Sequence, residues 1–317
     1  MEKYHSILLL TGVTLFLSCQ KVIEPKDLPE QDPRIVVNCI LNTDENIHAN
    51  ISMSKSILSG KDYKYINNAI CELYEDDVYI QNLVFMSNGD YAAPVFPKNN
   101  KRYTLKVLAT GFESVNATTS MPPTFSTKPL ETYDTVNSYY SRSRYGSGGD
   151  SYIQGETKYR VRLIDEPNVK NYYSIVPRVV LLDSLDEPVN YSVSITVVDY
   201  TSSRILGGET YYSGSMDIDD KTVVNGQEIV ANIGVQIYVN ENSNTKPVKK
   251  VQVFLQFQSV SEDYYKYKQT LLNQATMGVN LFAEPVLVYN NINNGMGILA
   301  GMTTTFVPAY SGKIQGN

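Results

Sequence analysis

A chain with two histidines, three cysteines and no tryptophan has little material for the commonest catalytic and metal centres. His5 lies in the N-terminal apolar stretch, which leaves His48 as the one histidine further along, in "ENIHANIS", where a strand is expected to begin. There is no H-E-x-x-H, a zinc site of His and Cys would lack ligands, and no G-x-S-x-G elbow presents a serine. Charge of one sign is also missing. Lys and Arg number 27 against 33 Asp and Glu, and the densest basic spot is Lys246, Lys249 and Lys250. Nucleic-acid binding needs a basic footprint, so no nucleic-acid partner is expected. Gly295 and Gly297 in "NNGMGILAG" invite a phosphate-loop reading, but Ala300 stands where the third glycine belongs, and "MTTTFVPAY" after it patterns as a strand rather than a helix. No cofactor is implied.

Long apolar runs are absent too. The longest stretch, Ile7 to Leu17, is shorter than the roughly 20 residues that span a bilayer. It follows Lys3 and stops at Ser18-Cys19, which is the layout of a secretion signal over residues 1–18 ending at a lipid-attachment cysteine. Cys19 is therefore the expected acylation site. Each buried methylene contributes about 0.8 kcal/mol, so one acyl chain holds a protein marginally and two or more hold it stably. Residues 19–33, with Pro25, Pro29 and Pro33 among mixed charges, read as a tether. Cys39 and Cys71 fall on inward strand positions. They are expected to be buried as small hydrophobes, with pairing in an oxidising compartment as the alternative.

What is abundant is β-forming sequence. Tyrosines number 25 against 9 phenylalanines, and Val, Ile and Thr fill short runs suited to pleated, half-buried surfaces. "RIVVNCIL", "HANISMSKS", "AICELYED", "YIQNLVF", "RYTLKVLAT" and "FESVNATTS" alternate between turn residues. In "AICELYED", Ile70, Glu72 and Tyr74 face one way while Cys71, Leu73 and Glu75 face the other. Asn88-Gly89 marks a tight turn. Residues 34–120 are expected to form a small antiparallel β-sandwich, which resembles immunoglobulin-like or transthyretin-like modules. A proline-rich edge follows, and residues 121–317 make a second sandwich. There Tyr159, Val161 and Leu163 share one strand face, "DEPNVKN" reads as a hairpin connection, and Val251, Val253, Leu255 and Phe257 line another face. The fold class expected is all-β, two antiparallel β-sandwich domains, the second carrying one packed α-helix.

That helix is expected at 262–276. Ser261 is a fitting N-cap, Glu262 and Asp263 suit the first turn, and Tyr264, Tyr267, Leu271 and Ala275 form one stripe. Tyr265 is left as the exposed tyrosine. "NNINNG" then reads as the turn of a final hairpin between "PVLVY" and "MGILAGMTTTFVP". Candidate contact residues are few. Residues 139–152 look like a long exposed loop in which Tyr139, Tyr140 and Tyr145 stand beside Arg142 and Arg144, residue types that anchor recognition surfaces. Tyr265, Asn291, Asn293 and Asn294 are further candidates for touching a glycan, a peptide or a partner protein. Asp217, Asp219 and Asp220 in "GSMDIDDK" are weak calcium candidates, lacking full loop spacing. No residue is singled out as catalytic.

The segment "LFAEPVLVYNNINNGMGILAG", after a tyrosine-rich helix, carries a resemblance. Phe282, Glu284, Pro285, Val288, Asn291, Ile292, Gly295, Gly297, Ile298 and Gly301 resemble the C-terminal signature of DUF4249, a family of uncharacterised envelope lipoproteins of Bacteroidetes-type bacteria. The N-terminal half agrees with it. The resemblance implies a lipid-anchored outer-membrane protein, in either leaflet, of the kind often encoded beside TonB-dependent receptors. It implies no catalytic residues. The function expected is non-catalytic binding as an accessory to a TonB-dependent receptor or nutrient uptake system. A structural or adhesive envelope protein is the alternative, and a glycan-active enzyme a distant one.

Overall fold

A computed structural model describes residues 32–55, 64–127, 131–132, 140–143, 151–165, 167–199, 210–219, 228–241, 246–277 and 286–316. Cys19 and the rest of 1–31 lie outside them, as do Tyr139, Arg144, Tyr145, Asp220, Phe282, Glu284 and Pro285.

Seven strands build the first unit: β1 (Ile35–Asn42), β2 (Ile47–Met53), β3 (Ile70–Glu75), β4 (Val78–Ser87), β5 (Asp90–Ala93), β6 (Arg102–Leu108) and β7 (Val115–Ser120). Short strands β8 (Ser126–Thr127), β9 (Glu131–Thr132) and β10 (Tyr140–Ser143) lead into β11 (Ser151–Ile164), β12 (Tyr172–Leu182) and β13 (Val193–Asp199). Then come β14 (Thr210–Ser213), β15 (Met216–Asp219), β16 (Glu228–Glu241) and β17 (Lys250–Val260). Helix α1 (Glu262–Met277) precedes β18 (Met296–Lys313) and β19 (Gln315–Gly316).

Period-2 patterning sets the faces as expected. In β3, Cys71 and Leu73 are buried while Ile70 faces out. In β11, Tyr159, Val161 and Leu163 are buried, and in β17 so are Val251, Val253, Leu255 and Phe257. Asn88 and Gly89 both take positive φ in the β4–β5 turn, where the strand twist favours it. Inward side chains of β1 to β7 meet in one core, to which Ile292 and Leu299 contribute from the far end of the chain. A second core lies between the inner faces of β11, β13 and β16 and those of β12 and β17.

Two sheets carry these cores. One has eleven strands in the order β15-β12-β17-β18-β1-β2-β5-β4-β3-β6-β7, and the other eight, centred on β13-β16-β11-β10. The eleven-stranded sheet runs through both units because β18 is shared. Met296 to Met302 pair in parallel with Val36 to Asn42, and Met302 to Lys313 pair antiparallel with Val260 to Lys250. The register slips once, between Val253 and Phe254 and opposite Pro308, whose missing N–H cannot serve a regular ladder.

Three expectations are corrected. No final hairpin forms between "PVLVY" and β18: residues 286–290 hold no strand, because β1 and β17 take both edges of β18. "DEPNVKN" is no hairpin either. β11 pairs with β16, and β12 with β17 and β15, so the connection crosses between sheets; each strand is buried on a face that only a second sheet can cover. The 139–152 loop is partly strand, since Tyr140 to Ser143 pair with Gln154 to Ser151. Its Tyr-Ser-Arg-Ser alternation is the period-2 pattern of a strand.

Candidate functional site

The start of α1 is where the two units meet. Ser261 caps the helix, its Oγ accepting from Tyr264 N at 3.3 Å. The same oxygen accepts from Gly301 N at 3.1 Å, while Ser261 N donates to Gly301 O at 2.8 Å. One residue thus ties the helix to β18. Asp263 extends the tie to the first unit: Thr119 Oγ1 donates to its Oδ2 at 2.8 Å, and Tyr289 OH donates to its Oδ1 at 2.7 Å. Burial, then this carboxylate, push the Tyr289 hydroxyl above its ordinary range. Glu262 accepts from Lys170 at 3.0 Å and from Tyr172 OH at 3.1 Å. The bond from Lys170 does most to hold its carboxyl below the ordinary value, with Lys266 adding to it.

These residues wall a cleft of about 330 Å³ between Thr118–Pro123 of the first unit, Val169–Asn171, and Val260–Asp263. Both carboxylates on its helical wall accept from partners within the chain, so the arrangement clamps strands together.

A second polar cluster fastens the helix further along. Lys268 Nζ lies 2.6 Å from Asp217 Oδ1, 2.9 Å from Ser215 Oγ and 3.2 Å from Ser174 Oγ. Gln269 donates to the other Asp217 oxygen at 3.3 Å. Asp217, a calcium candidate, therefore holds an ammonium in a half-buried site. Asp219 ends β15, opposite Tyr172. Among the described residues no group of three or more His, Cys, Asp or Glu gathers as metal ligands do.

The helix spans nearly the residues expected, but the stripe it buries is different. Tyr265 is half-buried, stacked on Tyr172 with ring centroids 4.6 Å apart, rather than exposed. Leu271 is 42% exposed and Ala275 is exposed. The polar contacts of Lys268 and the Tyr172 platform turn the helix so that Tyr264, Tyr265 and Lys268 face the sheet.

The asparagines serve the backbone. Asn291 Nδ2 donates to Leu299 O at 2.7 Å and its Oδ1 accepts from Leu299 N at 2.9 Å, imitating a strand partner. Asn293 bonds Asn116 through both backbone and side chain, at 2.8 and 2.9 Å. Asn294, exposed with φ of 61°, turns the chain into β18 and lines a cavity beside Asp32–Ile35. The motif glycines act likewise. At Gly297, φ is 109° and a Cβ would overlap the Val37 carbonyl, while at Gly295 a Cβ would lie 2.8 Å from Ile35 O. Tyr140 and Arg142 sit in β10, distant in the strand order from this junction.

A surface that the sequence reading did not single out runs beside the helix. Val286–Tyr289 lies antiparallel to α1, with Tyr289 N donating to Thr270 Oγ1 at 2.8 Å and Gln274 Nε2 to Val286 O at 3.4 Å. Leu287 on this segment is 87% exposed, and Leu272 on the helix 49%. The run "PVLVY" was the available signal, but reading it as a hairpin strand hid it.

Fold and junction define a class: an all-β protein of two sandwich units sharing one strand, with a helix clamped at their seam. The chain belongs to the family described as domain of unknown function DUF4249, whose profile matches residues 23–306. No curated protein matches it. Among solved structures it is similar to a carbohydrate-binding module of the β-sandwich superfamily, at 13% identity and TM-score 0.19, over 72% of this chain and 97% of that one. It is also similar to the CFA/I adhesin CfaE of enterotoxigenic E. coli, at 10% identity and TM-score 0.24, over 87% of this chain and 88% of the other.

Proposed function

We propose that the protein is an outer-membrane lipoprotein, anchored through acylated Cys19, that works by binding rather than catalysis as an accessory to a TonB-dependent receptor or similar uptake system. The observation that supports this reading is a set of exposed leucines about the helix, Leu271 and Leu272 on it and Leu287 on the segment beside it. Exposed apolar side chains gathered on a folded protein mark contact surfaces; Leu271 and Leu272 are held by the clamped helix, and Leu287 by a segment hydrogen-bonded alongside it. A rigid presentation lowers the ordering cost of association. The tether allows an anchored protein to approach a receptor in the same membrane without losing its hold.

The test is purification of the lipidated protein from gently solubilised outer membrane, beside a Leu271→Glu, Leu287→Glu double variant. A β-barrel receptor in stoichiometric yield with the parent and depleted at least tenfold with the variant is the expected result. A parent that emerges alone after mild crosslinking defeats the accessory role.

A further inference from the structure

One end of the outer face of the first unit is apolar where strand alternation calls for polar side chains. Cys71, Leu83 and Val107 of β3, β4 and β6 point into the core, so their neighbours Ile70, Val84 and Leu108 point outward. These are 53, 63 and 41% exposed. Ile70 sits opposite Leu108, and Val84 follows Leu83, which pairs with Cys71. The three therefore stand side by side on consecutive strands. Met86, 63% exposed, extends the patch at the end of β4. Tyr65 continues it past the Gly89 turn, where a Cβ would lie 2.9 Å from its ring.

This patch flanks the end of the unit at which the chain enters. Asp32, Pro33 and Arg34 line a cavity of about 900 Å³ with Gly111, Phe112 and Glu113, which follow closely on Leu108. Cations gather on the other side of the same end. Arg34 and Ser54 exchange bonds at 2.9 and 2.8 Å, and Met53 N donates to Lys64 O at 3.1 Å, which brings Arg34, Lys55 and Lys64 to one rim.

We infer that this end is a membrane-resting surface, its aliphatic face seated at the headgroup–acyl boundary of the bilayer and its cationic rim against lipid phosphates. The inference rests on the anchoring at Cys19 proposed above. Chain length selects the bilayer as the occupant. The thirteen residues from Cys19 to Asp32 span at most about 45 Å, so an acylated chain keeps this end beside the membrane surface. The acyl group supplies affinity and the patch sets orientation. Asp32 and Glu113 offset part of the basic rim, so seating depends more on the aliphatic face than on anionic lipid. Seated in this way, the protein turns a fixed side toward any membrane partner.

The absence of tryptophan makes the test direct, because an introduced indole is the only one present. Met86→Trp and Leu108→Trp are placed in the patch, and Leu185→Trp, at a site 77% exposed on the β12–β13 connection, is the control. The chain from Cys19 onward is coupled at that thiol to a maleimide lipid, Cys39 and Cys71 being buried, on phosphatidylethanolamine–phosphatidylglycerol vesicles with brominated acyl chains. Since a seated surface penetrates by about 5–10 Å, both patch indoles are expected to shift to the blue and to be quenched at least about twofold more than the control. Patch emission that matches Leu185→Trp overturns the inference. Intact-mass analysis of the native lipoprotein reads the anchor separately: an unmodified Cys19 overturns the anchoring, whereas the chemically coupled vesicles report on the surface itself.

Discussion

Tyr91 shows why tyrosine so outnumbers phenylalanine. Its ring is buried in the first core, yet its hydroxyl donates to Ile66 O at 2.9 Å and accepts from Ala69 N at 2.8 Å, satisfying two groups that the turn before β3 would otherwise bury unpaired. Tyr173 reaches Asp165 at 2.9 Å in the same manner. Tyr103 donates to Glu75 at 2.6 Å, and this pair has a consequence for pH. The Tyr103 hydroxyl, followed by Lys98, holds the Glu75 carboxyl below its ordinary value of 4.5. A group depressed in the folded state stabilises fully above its unfolded pKa, and its contribution disappears as pH falls through the folded value. Urea midpoints of the parent are therefore expected to fall as pH drops below 4.5. The gap between parent and Glu75→Gln should be widest at neutral pH and close towards the acid end. A gap that stays constant across the series removes Glu75 from the account. The two buried thiols are pushed up to about 12, Cys39 by desolvation and then by Cys71, and Cys71 by desolvation. Native Cys39 and Cys71 should accordingly be inert to thiol reagents.

At the scale of elements, β18 decides the most. Its parallel pairing with β1 requires the two backbones to approach closely at Gly297, where any side chain would overlap Val37 and would also have to adopt a φ that L residues avoid. Gly297→Ala is expected to cost about 2 to 4 kcal/mol, read from denaturant unfolding, and to loosen hydrogen-exchange protection along Val37 to Leu41. A loss within a few tenths of a kcal/mol would show that the backbone yields there. Strand faces were legible from the sequence because inward and outward residues alternate, as at Cys71 and Leu73 or at Val251 to Phe257. The helix was legible from Ser261, Glu262 and Asp263. Its buried stripe was not, because Lys268 faces the sheet through Asp217 on another strand, and no periodicity records that. Partners in space were likewise hidden. Nothing local in "MGILAGM" announces that "VVNCILN" will pair with it from the other end of the chain. The same holds for Asn291 and Asn293, whose partners Leu299 and Asn116 are brought close by tertiary structure.

For the whole molecule, sharing a strand has a thermodynamic consequence. Two sandwich units joined by a linker could melt separately, since each has its own core. Here, however, Met302 passes β18 from the ladder of β1 to that of β17, Ser261 bonds both the N–H and the carbonyl of Gly301, and Asp263 reaches Thr119 across the seam. Unfolding either unit strips the other of a strand edge that water would have to cover. A single cooperative transition is therefore expected, although chains of this size often unfold by parts. Thiol trapping of Cys39 and Cys71 reports on the first core, and the Tyr173–Phe125 contact, with ring centroids 5.9 Å apart, reports on the second through near-ultraviolet dichroism. The two urea midpoints should coincide, and Gly297→Ala should move both together even though it touches only the first ladder. Separated midpoints, or a shift of the thiol signal alone, would mean that β18 detaches from one partner while holding the other. The seam would then be a hinge, and the helix-borne leucines and the membrane-side patch could change their relative positions instead of being fixed on one body.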